Sequence, residues 1–167
     1  MKKLTIEKAK KIANNISHQI NPIDNREFFL IHSEKVWKVA KIIAEKLWLP
    51  TDIFEIAGRI HDIWYAKNIE QHSDFSISIL EELWYEINDI LKDCILNHWN
   101  NKTPKTKEWI IFQIADKLNI IDSDIIKIVL KYWPFPISDK DLTFLKNMSK
   151  NAFRLLENYK VIFTNHL

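Results

Sequence analysis

Glycine is almost missing from this chain. The 167 residues include one glycine and seven tryptophans, whereas average usage of roughly 7% glycine gives about a dozen in a chain of this length. Apolar residues make up 47% and charged residues 28%, which excludes intrinsic disorder, collagen-like repeats and low-complexity architecture. The length predicts one domain with a sizeable core.

Cysteine, long apolar runs and excess charge are also scarce. The lone Cys94 permits no intramolecular disulfide, and no apolar stretch approaches the ~20 residues that span a bilayer. The Lys-rich start lacks the apolar segment of a secretion signal. A reducing, cytoplasmic setting is therefore expected. The net charge of +2 argues against a protein built mainly to hold nucleic acid, so any phosphate binding must be local.

Apolar residues recur at helical spacing almost throughout, and no stretch keeps the alternation of a strand. We predict an all-α, single-domain helical bundle over residues 1–167, with an N-terminal helix within 1–25 and a C-terminal helix over 138–160. The predicted helices cover about 4–18, 26–47, 52–60, 73–83, 87–97, 107–121, 124–132 and 139–159.

Some polar residues lie at positions that the helical periodicity predicts to be buried in the core. Asp116 lies in a helix wrapped by apolar residues, and His61 and Asp62 end another apolar helix. A buried carboxylate needs a cation, hydrogen-bond donors or a proton. Asp116 alone is as readily explained by pairing with a lysine, and His61 alone by a hydrogen-bonded core position. A divalent metal would satisfy both places at once.

Order and spacing strengthen the metal interpretation. His32, His61-Asp62 and Asp116 form the series H…HD…D, carried by IHSEKVWKVAKIIAEKL, AGRIHDIW and FQIADKLNIID. On these motifs, residues of about 28–125 resemble the HD-domain superfamily of metal-dependent phosphohydrolases. The resemblance implies a bundle with a metal site between its central helices.

The resemblance also implies a set of ligands. Metal ligands would be His32, His61, Asp62 and Asp116, with His61 and Asp62 as catalytic residues and Asp62 bridging two ions if two are bound. His72 and His98 fall where two-metal members keep further ligands, although each could instead be a helix-terminal histidine. One or two divalent ions are expected, from among Mn, Fe, Mg, Co, Ni and Zn. His18 and His166 match nothing in the family and are expected to be solvated.

The implied activity is hydrolysis of a phosphate ester or anhydride, in a nucleotide or related small molecule, by metal-activated water. Lys102, Lys105 and Lys117 are candidates for binding phosphate, with a solvated loop as the alternative for the first two and a surface position for Lys117. No membrane or strong nucleic-acid partner is expected. Two other functions stay open: a di-iron oxygenase of the same superfamily, and a non-catalytic helical module that binds a protein or RNA partner and keeps a residual metal site.

Several of the seven tryptophans occupy positions where glycine is common. Proteins of the HD superfamily often read HDIG, whereas Trp64 follows the HDI of this chain. Trp48 and Trp84 follow predicted helices, where a C′ glycine is common, and Trp99 and Trp133 stand in similar positions. Some bacterial genetic codes read UGA as glycine, and another reads it as tryptophan. We hypothesise that many or all seven tryptophans, with Trp37 and Trp109 the least diagnostic, represent glycine codons. The alternative is a protein that is truly rich in tryptophan.

Overall fold

In the computed structural model of the protein, residues 1–20, 23–63, 71–98, 105–132 and 138–158 are described. The elements in chain order are β1 (Lys2–Lys3), α1 (Ile6–Ser17), α2 (Ile23–Lys46), α3 (Asp52–Ile60), α4 (His72–Glu82), β2 (Tyr85–Glu86), α5 (Asp89–Asn97), α6 (Lys107–Leu118), a 3₁₀ turn (Asn119–Ile121), α7 (Ser123–Tyr132) and α8 (Asp139–Asn158). The all-α prediction is confirmed, and each predicted helix has a counterpart.

Polar caps determine where several helices start. Thr5, Asn88 and Thr106 each accept a hydrogen bond from the backbone N–H three residues ahead, which satisfies one of the free donors in a first helical turn. Thr51 precedes α3 but makes no such side-chain bond. α2 begins at Ile23, three residues before the predicted start, so Asp24 and Asn25 belong to the helix rather than to the break before it.

α2 and α6 form the centre of the bundle. α2 packs against α1, α3, α6 and α7, and α6 also packs against α5 and α8. Every residue of α6 from Trp109 to Lys117 is buried, as expected for a helix covered on several sides. Cys94 lies in the same core as a free thiol, and burial raises its pKa. The buried polar residues His32 of α2, His61 at the end of α3 and Asp116 of α6 therefore lie inside the protein.

A short strand pair was not predicted. β1 and β2 pair in parallel, with Lys2 beside Tyr85, and the Lys2 N–H donates to the carbonyl of Trp84 at 2.7 Å. Two-residue strands are too short to show alternating hydrophobicity, so the sequence carries no signal for them. Among the described residues, no helix is long and apolar enough to cross a membrane.

Trp48 and Trp84 have a backbone conformation that favours glycine. Their φ angles are 56° and 61°, in the left-handed region that costs other residues roughly 1–2 kcal/mol. Trp48 closes α2 as a Schellman motif, in which its own N–H donates to Glu45 and that of Leu49 donates to Ala44. Both indoles are solvent-exposed, at 88% and 71%, so little packing compensates for the backbone strain.

Trp37 and Trp109, the two tryptophans inside helices, differ in how well their indoles are packed and hydrogen-bonded. Trp37 lies where α2 and α3 approach closely, since a Cβ atom on Gly58 would come within 2.5 Å of the Trp37 Cβ. The buried Trp37 indole nitrogen has no hydrogen-bond partner among the described residues. Trp109 is 2% exposed, and its indole N–H donates to the Asn97 carbonyl at 3.3 Å. Trp64, Trp99 and Trp133 lie outside the described residues.

Candidate metal centre

Four candidate ligands come together from three helices. His32 lies within α2, His61 is the C-cap of α3 and is followed directly by Asp62, and Asp116 lies near the end of α6. All four are buried. Adjacent residues within a helix do not face each other. Because Asp62 lies beyond the last turn of α3, its carboxylate can point to the same place as the ring of its neighbour His61.

The first cluster contains His32, His61 and Asp116. The His32 Nε2 atom lies 3.3 Å from His61 Nε2 and 3.2 Å from Asp116 Oδ1. The His61 Nε2 atom lies 3.7 Å from the same Asp116 oxygen. Ligand atoms bound at about 2.0–2.2 Å to one ion are about 3.0–3.6 Å apart. Two of these spacings lie in that range and the third, at 3.7 Å, is slightly wider, so the three atoms are close enough to share one cation.

A second cluster lies on the other side of Asp62. His72, the first residue of α4, has its Nε2 atom 3.0 Å from the Nε2 atom of His98, the C-cap of α5. Both rings are 1% exposed. His98 also forms a group with His61 and Asp62 whose ligand atoms all lie within 4.8 Å of one another. The structure thus brings together all six residues that the resemblance implies as ligands.

Asp62 joins the two clusters through its two oxygens. Its Oδ2 atom lies 3.3 Å from the Nε2 atoms of both His32 and His61. Its Oδ1 atom lies 3.2 Å from His72 Nε2 and 3.1 Å from His98 Nε2. A carboxylate with one oxygen in each cluster has the geometry of a bridging ligand.

The histidine rings are held through their Nδ1 atoms. Nδ1 of His61 donates to the Gly58 carbonyl at 3.0 Å, and Nδ1 of His98 donates to the Ile95 carbonyl at 2.6 Å. In His32 the same atom faces the side-chain Oδ1 of Asn119 at 3.2 Å. Each of these three rings therefore turns its Nε2 atom toward the carboxylates, the arrangement in which a metal-binding histidine keeps its other nitrogen as a donor.

Burial and neighbouring charges shift the pKa values of the clustered residues. Burial alone would lower the pKa of His61, but the charge of Asp62 and the hydrogen bond with Asp116 raise it to about 10. Burial alone would raise the pKa of Asp62, but the charge of His61 and hydrogen bonds from His32 and other histidines hold it well below its usual range. Burial lowers the pKa of His98. The carboxylates of Asp62 and Asp116 thus favour a positive charge beside them.

Lys117 is part of this centre rather than of the surface. It is 5% exposed, and its Nζ atom lies 2.5 Å from Asp116 Oδ2. A surface position, one of the two expectations for it, is therefore wrong, and Asp116 does pair with a lysine. Lys105 is exposed, and Lys102 lies outside the described residues, as does His166. His18 is exposed, as predicted.

Three residues near the centre were missed by the sequence interpretation. Phe112 packs edge-on against the His61 ring, and the Ser76 hydroxyl donates to the His61 carbonyl. Asn119 contacts His32. Asn119 follows Asp116 by three residues and therefore shares its helix face, which is a signal that sequence reasoning could have used.

Comparison with known proteins identifies the family. The sequence profile described as "HD domain" matches residues 29–120, more than half of the chain. This chain belongs to the HD-domain family. The matched region contains all six clustered residues: His32, His61, Asp62 and Asp116 in the order H…HD…D, together with His72 and His98.

Two relatives extend the comparison. A deoxyguanosinetriphosphate triphosphohydrolase-like protein of Caldanaerobacter subterraneus subsp. tengcongensis is 30% identical over 58% of this chain, which spans about a third (34%) of that protein. The crystal structure of a predicted HD superfamily hydrolase from an uncultured Thermotogales bacterium matches 93% of this chain and 90% of its own, at 19% identity and a TM-score of 0.57. The second likeness supports the HD fold.

Proposed function

We propose that this HD-domain protein is a metal-dependent phosphohydrolase that cleaves a phosphate ester or anhydride of a nucleotide or related small molecule. Family membership supports a hydrolase of this superfamily. The observation that carries the two-metal form of the proposal is Asp62, whose two oxygens face separate sets of histidines.

In this proposal His32, His61, Asp62 and Asp116 would hold one divalent ion, and Asp62, His72 and His98 would hold a second. Divalent ions in such a centre supply water with a pKa near 7 and stabilise the attacking and leaving oxygens of the phosphoryl group. The donor set of imidazoles and carboxylates suits Mn, Fe, Co, Ni or Zn, and the carboxylates also suit Mg.

Neighbouring groups of the chain orient the carboxylate of Asp116 and the rings of the histidines. Lys117 pairs with Asp116 Oδ2 and leaves Oδ1 facing His32 and His61. The Nδ1 hydrogen bonds of His61 and His98 fix the direction of their Nε2 atoms. We assign the catalytic roles to His61 and Asp62, which lie where the two clusters meet.

A nucleotide substrate is supported by the similarity to the Caldanaerobacter relative, which is a deoxyguanosinetriphosphate triphosphohydrolase-like protein. Since this chain spans about a third of that relative, the identity of the nucleotide is left to experiment. We propose Lys102 and Lys105 for the substrate phosphates, because they precede α6, which carries Asp116. Lys117 stays a candidate for the same role, and its Nζ atom lies beside Asp116 Oδ2.

The test combines metal analysis with a substrate screen. Purified protein is analysed for bound metal, then incubated with each divalent ion and with nucleotides, cyclic nucleotides and dinucleoside polyphosphates. Chromatography of the nucleoside products detects the release of mono-, di- or triphosphate alike. A His61→Ala/Asp62→Ala variant is expected to lose both metal and turnover, while the exposed-histidine variant His18→Ala keeps both. Wild-type protein with neither bound metal nor turnover would contradict the proposal, and oxygen consumption by an iron-loaded form would favour the di-iron oxygenase.

We also propose that many or all of the seven tryptophans represent glycine in the source organism, through UGA codons. The positive φ angles of Trp48 and Trp84 and the tight approach of Trp37 to Gly58 support this proposal at three positions. Trp109 offers no such support, because its indole is packed and hydrogen-bonded. Trp64 matters most for function, since it follows Asp62 by two residues.

Reading the codons decides this second proposal. UGG at positions 48, 64 and 84 would contradict it, and UGA at these positions would support it. The substrate screen should therefore be run on two forms of the protein, one with glycine and one with tryptophan at the seven positions. If the tryptophan form binds metal and turns over equally well, Trp64 does not obstruct the centre.

A further inference from the structure

The buried side chain of Asn119 lies beside the candidate metal centre without belonging to the ligand set. It is 2% exposed, and its Oδ1 atom lies 3.2 Å from Nδ1 of His32. Its Nδ2 atom has no hydrogen-bond partner among the described residues. Within this side-chain amide, the Oδ1 atom therefore makes the hydrogen-bond contact, and its partner is His32.

His32 needs such an acceptor because of its place in the fold. His61 and His98 are helix C-caps, so the carbonyls three residues before them, Gly58 and Ile95, are free of the helical ladder and accept from Nδ1. His32 lies within α2, where preceding carbonyls already accept backbone N–H bonds. The contact of its Nδ1 atom comes instead from another element, through Asn119 Oδ1.

α6 and the turn that follows it supply contacts for both nitrogens of this ring. Asp116 Oδ1 lies 3.2 Å from Nε2, and Asn119, three residues later on the same face, meets Nδ1. Phe28 stacks on the His32 ring at 5.4 Å between centroids, which limits rotation of the ring. The imidazole is thus held at both nitrogens and on one face.

We propose that Asn119 is a positioning residue for the metal centre: it keeps a proton on Nδ1 of His32, so that Nε2 can offer its lone pair to a bound ion. This inference rests on the proposed metal centre. Its chemistry is that of an outer-sphere acceptor, a group whose loss in metalloproteins lowers metal affinity by about 10–100-fold. Asn119 touches neither substrate nor metal in this role.

The test compares Asn119→Leu with Asn119→Asp. Leucine has a similar size but accepts no hydrogen bond, whereas aspartate keeps an oxygen for Nδ1–H and, like leucine, removes the amide donor. We expect the Asn119→Leu variant to bind Zn²⁺ about 10–100-fold more weakly than wild type. The Asn119→Asp variant should bind within about threefold of wild type or more tightly. A residue with a merely structural role would give similar losses in both variants.

A spectroscopic measurement separates positioning from stability. Nitrogen-15 NMR of the Zn²⁺-loaded wild-type protein should show His32 protonated on Nδ1, and the signal should change in Asn119→Leu but not in Asn119→Asp. Equal Zn²⁺ affinity of the leucine variant and wild type, or a His32 proton on Nε2 in wild type, would overturn the role of Asn119 while leaving the metal centre intact. A wild-type protein that binds no metal would overturn both.

Discussion

Replacing Trp48 by glycine should make this protein more stable. The left-handed conformation at φ 56° costs a residue with a Cβ atom roughly 1–2 kcal/mol. Glycine removes that strain but adds about 0.4–1 kcal/mol of unfolded-state entropy. The indole is 88% exposed, so its removal sacrifices little packing. The expected net gain in the free energy of unfolding is about 1 kcal/mol, and Trp84→Gly should contribute a similar amount.

The assay is urea unfolding of wild type, Trp48→Gly, Trp48→Ala and the double variant Trp48→Gly/Trp84→Gly. Alanine removes the indole but keeps the Cβ atom, so it isolates the backbone effect. Trp48→Gly should exceed Trp48→Ala by about 1 kcal/mol. The double variant should gain about 2 kcal/mol over wild type, which raises Tm by about 4–8 °C in a chain of this size. An alanine variant as stable as the glycine variant would refute the backbone argument.

Three further predictions concern the metal centre. Because its pKa is raised to about 10 from an unfolded value near 6.5, His61 contributes stability that is fully present below pH 6.5. The metal-free protein should therefore lose stability as pH rises toward 10, and a flat unfolding curve in this range would argue against the charge balance with Asp62 and Asp116. His98→Ala should reduce the metal content from two ions to one, as measured by metal analysis, and an unchanged content would exclude it as a ligand. Lys117→Met should destabilise the metal-free protein by about 1–3 kcal/mol in urea unfolding, because the buried Asp116 carboxylate loses its lysine partner but keeps His32 and His61 beside Oδ1; an unchanged free energy of unfolding would show that the pair contributes little.

The clustering of the candidate ligands was predictable only in part. His32, His61, Asp62 and Asp116 stand out in the sequence because polar residues interrupt apolar helical faces and follow one another in a family order. The starts of α5 and α6 also have a local signal, since Asn88 and Thr106 are N-caps. The strand pair could not be predicted, because a two-residue strand has no period.

The position of Lys117 shows where sequence reasoning fails. A lysine beside a buried aspartate on a helix points about 100° away from it, which favours the surface. α6 is instead covered on several sides, so this lysine is buried and its long flexible side chain reaches back to Asp116. Neighbouring helices decided this outcome, and no local pattern describes them.

By itself, the sequence determined the helices, the scarcity of glycine and the identity of the candidate ligands, because periodicity, caps and composition are local properties of the chain. Only the tertiary structure decided which atoms face one another. It placed one oxygen of Asp62 toward His32 and the other toward His98, and it gave His32 its acceptor from Asn119, 87 residues away. Contacts across such separations depend on how α2, α3 and α6 pack, and packing is a property of the whole fold.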